Sequence, residues 1–289
     1  QSVGANNLAA GLQDAYLASS PVIALTGRLP QELQDRWAYQ EVDHTNPFRA
    51  VTKFSSQVNS VEQLPTYLRQ AIREATTGTP GPAHLDLAGI AGGNITTGEA
   101  DLEVVIESQF TSIPPFRPEP DSSSVNDALG EISRAQRPVI VAGGGVTASD
   151  ASKELIAIAE RLNVPVATAL NAKAMFPADH PLAVGVPGAY SRACSNQVLA
   201  EADLVFFIGS HTGGQVTNDW QLPRSGTRIV QMDINAAELG RSFPISVGLQ
   251  SDVRAGLQKM LDTSSEVGSP SDEQQRATWV ARTQQLVGD

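Results

Sequence analysis

The sequence predicts an α/β protein made of two doubly wound parallel-sheet domains. Short apolar runs of β-type residues alternate with amphipathic helical stretches, the pattern left by parallel strands joined through crossover helices. The chain has 289 residues, which at roughly 150 residues per domain suggests two domains. A proline-rich break, Ile113-Pro114-Pro115-Phe116-Arg117-Pro118-Glu119-Pro120, separates them, because proline removes backbone donors and fixes φ. The expected division is a first domain over 1–95, a linker over 96–123, a second domain over 124–262, and a serine-rich break with the start of a further domain over 263–289.

In the first domain, Asn7 to Ala18 reads as a helix with Leu8, Leu12, Ala15 and Tyr16 on one face. Pro21 to Gly27 reads as a buried strand ending at a glycine turn. Val61 to Thr76 reads as a helix with an apolar stripe of Leu64, Leu68, Ala71 and Ile72. Pro82 to Leu87 closes the region as another strand. From Gly89 to Ser124 the chain turns to glycine, threonine, proline and serine, relieved only by an apolar patch at Val104 to Ile106.

The second domain opens on Ser124 as a helix cap before Val125 to Gln136. Strands are expected at Pro138–Ala142, Val164–Ala169, Asp203–Ile208 and Thr227–Ile234. Helices are expected at Ser149–Leu162, Tyr190–Ala202 and Val253–Leu261. In such a sheet, ligands bind beyond the carboxyl ends of the strands. Asp272 to Leu286 reads as a helix that leads into whatever follows.

Composition excludes several classes. A net charge of −11 with pI ≈ 4.8 leaves no basic surface for nucleic acid. No apolar run approaches the ~20 residues of a membrane span. The single cysteine, Cys194, excludes an internal disulfide and predicts a reducing, cytoplasmic compartment. The four histidines (His44, His84, His180 and His211) are scattered, and none stands beside another histidine or a cysteine at metal-ligand spacing. No charged-then-apolar leader follows Gln1.

Three strand-end motifs could hold a ligand. Pro138 to Ala142 runs into Gly143-Gly144-Gly145, where absent Cβ atoms would let a phosphate reach backbone N–H groups. A tight strand-to-helix turn without ligand reads equally well, because G-x-G-x-x-G is not present. Gly209-Ser210-His211 follows another strand, as a second phosphate-facing loop or a plain connection. Asp233 ends a third, as a ribose acceptor or a turn-forming aspartate. Glu41 and Asp43 would share a face on a strand and diverge on a helix, and a solvated pair is the simpler reading. Cys194 lies in an amphipathic helix without a base nearby, which fits apolar packing.

The words of the sequence carry a family resemblance over nearly the whole chain. Gly4-Ala5-Asn6-Asn7-Leu8, Gly11-Leu12-Gln13-Asp14-Ala15-Tyr16 and Pro21 to Gly27 resemble the G-A-T-N-L…G-L-x-D-A-Y…P-L-V-A-I-T-G run of acetolactate synthases, which are thiamine-diphosphate-dependent enzymes. Tyr39-Gln40-Glu41-Val42-Asp43 is similar to their F-Q-E-x-D, and Val51-Thr52-Lys53 to their I-T-K. Thr79-Pro80-Gly81-Pro82 and Leu85-Asp86-Leu87 are similar to R-P-G-P-V-x-x-D-x-P apart from its final proline. Arg137 to Gly145, Phe176-Pro177-x-x-His180-Pro181, Glu201-Ala202-Asp203 and Asp233-Ile234-x-x-x-Glu238-Leu239-Gly240 resemble the central domain.

This resemblance implies a pyrimidine-binding domain, N-terminally incomplete, followed by a Rossmann-like central domain. It implies thiamine diphosphate and Mg2+ as cofactors, a homodimer or tetramer, and a 2-oxo acid substrate such as pyruvate. On the cofactor that acid loses CO2, and the remaining two-carbon unit joins a second carbonyl. The family's proton-handling glutamate lies upstream of the Gly4 run, so no catalytic residue is expected in this chain. The magnesium-binding domain would follow Leu286, so no metal site is expected either, and the chain alone should be inactive. By resemblance, Gly4, Ala5 and Asn7 belong to a loop near the cofactor's reactive end, and Gln40 lines the substrate channel. Asn6 and Val3 replace the family's threonine and proline. Gly143, Gly144, Gly145, Gly209 and Asp233 match the FAD-binding positions of flavin-containing members, but His211 replaces their arginine, which favours a flavin-free site. The alternatives are a non-catalytic module binding ADP, coenzyme A or FAD, and an interaction protein that keeps only a dimer surface.

Overall fold

A computed structural model describes residues 2–89, 101, 105–267 and 272–288. The chain divides into two compact units, residues 1–115 and 116–289. The division falls inside the proline-rich stretch. The expected boundary at residue 95, Val104 of the apolar patch, and residues 268–271 of the serine-rich break lie outside the described residues.

The first unit is built on three parallel strands, β1 (Ile23–Arg28), β2 (Phe54–Val58) and β3 (Ala83–Ala88), in the order β1-β3-β2. Helices cover both faces. On one, α1 (Val3–Leu17) buries Ala5, Ala9 and Leu12 with Phe48 of α2 (Thr45–Arg49), Val51 and Ala24. On the other, α3 (Leu64–Thr76) buries Ala71 and Ala75 against Val58, Ala83 and Leu85. Pro65 sits in the first turn of α3, where its missing N–H costs nothing. At the far end of α3 the Lys53 ammonium donates to the carbonyls of Glu74 and Thr77 at 2.5 and 2.8 Å.

The second unit is a six-stranded, all-parallel sheet: β4 (Pro138–Ala142), β5 (Val166–Thr168), β6 (Ala183–Gly185), β7 (Leu204–Ile208), β8 (Arg228–Asp233) and β9 (Val247–Gln250), ordered β6-β5-β4-β7-β8-β9. The chain starts in the middle, winds outward to β6, and returns to fill the other half, so the switch point lies between β4 and β7. Strand residues alternate between two cores. Ile140, Ala142, Phe206, Ile208, Val230 and Met232 face the residues of α4 (Ser122–Arg134), α6 (Ser152–Leu162) and α9 (Val253–Val267). Val139, Val141, Val205, Phe207 and Ile229 face α7 (Ala193–Glu201) and α10 (Glu273–Gly288). Burial on both faces explains why β4 and β7 read as continuous apolar runs. Two short helices, α5 (Gly144–Ala148) and α8 (Gly214–Thr217), follow β4 and β7.

Three strands escape the sequence reading: β2, β6 and β9. Two are only three or four residues long, and β2 carries Ser55, Ser56 and Gln57, so none shows an apolar run. The described part of 263–289, expected as a break and the start of a further domain, is helical and belongs to the second unit. Helix α9 runs on to Val267, and α10 folds back onto the second sheet. Trp279 and Leu286 enter one core and Val280 the other, while the Trp279 indole donates to the Pro138 carbonyl at 2.9 Å. Buried Arg276 donates to the carbonyls of Leu162, Ile132 and Ala135 at 2.7, 2.8 and 2.9 Å, capping the carboxyl ends of α6 and α4. Among the described residues no helix is long and apolar enough to cross a membrane.

Candidate functional site

The switch point of the second sheet brings the three strand-end motifs together. Gly143 N–H donates to the Ile208 carbonyl at 2.8 Å, Gly145 N–H to the Gly209 carbonyl at 2.9 Å, and Gly209 N–H to the Met232 carbonyl at 2.8 Å, one residue before Asp233. The glycines have a packing reason. A Cβ on Gly143 would lie 2.3 Å from the Gly209 oxygen, one on Gly145 2.6 Å from the Gly209 Cα, and one on Gly144 2.5 Å from the Asn171 side chain. Gly209 itself takes φ +56°. The space left by the missing side chains is filled by the facing turn, and two of the three glycine amides are already used. A cradle of glycine N–H groups around a dinucleotide phosphate does not fit this arrangement.

The acidic side of the crevice is nearly dry. Asp233 accepts the Asn235 N–H at 2.9 Å, and burial, the largest influence, pushes its carboxyl up to about 6. His211 nearby opposes that rise and Glu238 adds to it. The His211 Nδ1 lies 3.1 Å from Glu238 Oε2, and Arg241 holds the other Glu238 oxygen at 2.6 Å. The histidine therefore meets a protein carboxylate from within the crevice. Gln231 ties the loops from below, donating to the Glu238 carbonyl at 2.9 Å and accepting from Gly240 N–H at 2.9 Å.

In the first unit, Gly4, Ala5 and Asn7 lie in the opening turns of α1, where the resemblance implies a loop and the apolar periodicity starts a helix only at Asn7. Ala5 is buried, while Gly4 and Asn7 are exposed, and a Cβ on Gly4 would meet nothing within 4 Å. Gln40 sits exposed in a turn at φ +65°. Glu41 ties that turn by accepting from the Asp35 and Ala38 N–H groups, and Asp43 accepts from Thr45 N–H at 2.8 Å at the start of α2. Both acids are thus turn-formers. Cys194 packs beside the second core, as the sequence suggests. An open face at Gly4 and Asn7 fits one side of a cofactor site. Among the described residues no group of three or more His, Cys, Asp or Glu could hold a metal.

The sequence reading misses one cluster. His44 and His84, far apart in the chain, meet around Asp86 on the α1/α2 face of the first sheet. Thr26 donates to Asp86 Oδ1 at 2.7 Å and contacts His84 Nε2 at 2.7 Å; His84 Nδ1 lies 2.8 Å from Ser55 Oγ; His44 Nδ1 lies 3.1 Å from Asp86 Oδ1. Arg28 Nε stands 3.9 Å from Asp86 Oδ2, and Phe48 stacks on the His84 ring at 3.7 Å between centroids. Burial, opposed by Asp86 and aided by His44, pushes His84 down to about 4. One signal was available: alternation in Ala83-His84-Leu85-Asp86 puts both polar residues on one strand face.

Comparison with known proteins agrees with the sequence motifs. The family model for the thiamine pyrophosphate enzyme, central domain, matches residues 125–260. A probable acetolactate synthase large subunit of Methanocaldococcus jannaschii is 35% identical over 98% of this chain and 47% of its own length. The acetolactate synthase large subunit of Corynebacterium glutamicum is 32% identical over 96% of this chain and 43% of its own. The isozyme 1 large subunit of Escherichia coli K12 is 31% identical over 99% of this chain and 47% of its own. The chain spans about half the length of these relatives. Residues 125–260 thus match the thiamine pyrophosphate enzyme central-domain family, and nearly the whole chain is similar to acetolactate synthase large subunits.

Proposed function

We propose that these residues form part of a thiamine-diphosphate-dependent enzyme that decarboxylates a 2-oxo acid such as pyruvate and joins the product to a second carbonyl. The observation that carries this reading is the in-order likeness of both units to acetolactate synthase large subunits across 98% of the chain. When bound, thiamine diphosphate supplies the carbanion chemistry. The chain's own part is to present Gly4 and Asn7 on the open face of α1, with Ala5 packed into the core beneath them and Gln40 toward substrate. Magnesium and the proton-handling acid are expected from regions that the relatives have and these residues do not. The working form is a homodimer or higher in the cytoplasm, consistent with a lone cysteine. The crevice of the second unit is expected to be flavin-free, because its glycine amides face protein carbonyls and His211 faces Glu238.

Residues 1–289 alone should give no thiamine diphosphate- and Mg2+-dependent CO2 release from pyruvate. The same residues within a polypeptide of the relatives' length should form acetolactate. Cofactor-dependent release by 1–289 would overturn the partial-site reading, and no product from the longer polypeptide would overturn the reaction. Flavin absorbance that survives gel filtration of the longer protein would refute the flavin-free crevice.

A further inference from the structure

We propose that His44 is a positioning residue, locked by Asp86 in its Nδ1–H form so that its Nε2 lone pair holds the Ser2 amide at the head of α1. Gly4, Ala5 and Asn7 follow directly, so the proposal deepens the cofactor reading above and rests on it.

The direction of each hydrogen bond follows from what each group can donate. The Ser2 N–H lies 2.9 Å from His44 Nε2 and can only donate, so that nitrogen carries no proton. The His44 proton is then on Nδ1, pointing at Asp86 Oδ1. Thr26 has one hydroxyl proton and gives it to the same oxygen. It must therefore accept from His84 Nε2–H, which leaves His84 Nδ1 to accept from the Ser55 hydroxyl. Two neutral imidazoles of opposite tautomer thus converge on one carboxylate, and Arg28 balances its charge. Asp86 is 1% exposed and His44 1%, so water does not compete for these bonds. Protonating His44 would set its Nε2–H against the Ser2 N–H, two donors face to face.

Long-range proton–nitrogen NMR of histidine-labelled protein at neutral pH tests the lock. The expected result is His44 protonated on Nδ1 and His84 on Nε2; His44 on Nε2, or charged, would overturn the proposal. Acid titration needs no variant. As NMR shows His44 taking its proton, amide exchange at Ser2 and at Asn6, whose N–H donates to the Ser2 carbonyl at 3.0 Å, should quicken beyond the intrinsic pH trend and beyond any change at β1 amides. Asp86, Arg28 and His84 are the ionisable groups facing this site, and an unchanged Ser2 would overturn the anchor. His44→Leu should speed exchange at Asn6 about tenfold, whereas His44→Gln, which keeps one donor and one acceptor, should restore most of the protection. In the longer, active polypeptide His44→Leu should raise the thiamine diphosphate concentration needed for half activity with little change in kcat, and the glutamine variant should reverse it. No such shift, with the tautomers as expected, would overturn the positioning role alone. A wild type that ignores thiamine diphosphate would overturn the cofactor reading, while the tautomers would still report on the lock.

Discussion

Asp233 is a carboxyl group kept against its solvation preference. It is 5% exposed and titrates near 6 rather than 3.8, so at neutral pH its ionised form costs roughly 3 kcal/mol relative to an exposed acid. Asparagine would keep the oxygen that accepts from Asn235 N–H without the charge. Asp233→Asn is therefore expected to raise the unfolding free energy of the second unit at pH 7 by about 2 kcal/mol. Urea melts of the two proteins measure it, and a lower midpoint for the variant would show that the charge is better paired than burial implies. A strand-ending aspartate is visible in sequence because the apolar run before it stops there. Its dryness is not, because it depends on Glu238 and His211 arriving from separate loops. The same limit hides the pairing of His44 with Asp86: alternation places groups on a face, but only packing decides which face meets which.

At the scale of elements, the triple glycine is the clearest case of a motif with two readings and one geometry. Its spacing suits either a phosphate cradle or a tight turn, and the contacts with Gly209 favour the turn. A methyl group at 145 would sit 2.6 Å from the Gly209 Cα, and both backbones are tied by Gly145 N–H to the Gly209 carbonyl. Neither can retreat cheaply. Gly145→Ala should cost about 3 kcal/mol in the second unit. Gly213→Ala, with nothing within 4 Å of the new Cβ, should stay within about 1 kcal/mol. Chemical denaturation of both variants decides the matter, and equal stability would mean that the facing turns are looser than their contacts indicate. Elements buried on both faces, such as β4 and β7, announce themselves by unbroken apolar runs. Short edge strands such as β6 and β9 do not, since their backbone pairing needs few apolar side chains. Helix α10 was legible as a helix, but its destination was not, because Trp279 and Arg276 find their partners more than a hundred residues away.

At the scale of the whole molecule, two parallel α/β units were legible because alternation and the proline break both act locally. Their responses to acid were not, since each unit holds a buried group whose shift comes from tertiary packing. His84 in the first unit titrates near 4, below its ordinary 6.5. As pH falls through that window the unfolded chain takes the proton first. The stability this group contributes is complete above about 6.5 and is lost toward 4, by about 3 kcal/mol. Asp233 in the second unit titrates near 6, above its ordinary 3.8. There the folded form takes the proton first, so this group adds up to about 3 kcal/mol as pH falls from 6 toward 3.8. The two units should therefore move apart in stability on acidification. Hydrogen exchange read by mass spectrometry at pH 7 and pH 5 follows each unit separately. Peptides from β1 and β3 should lose protection relative to peptides from β7 and β8, after correction for intrinsic rates. His84→Asn should flatten the first trend and Asp233→Asn the second, each without the other. Parallel loss of protection in both units would mean that these two groups do not govern the acid response.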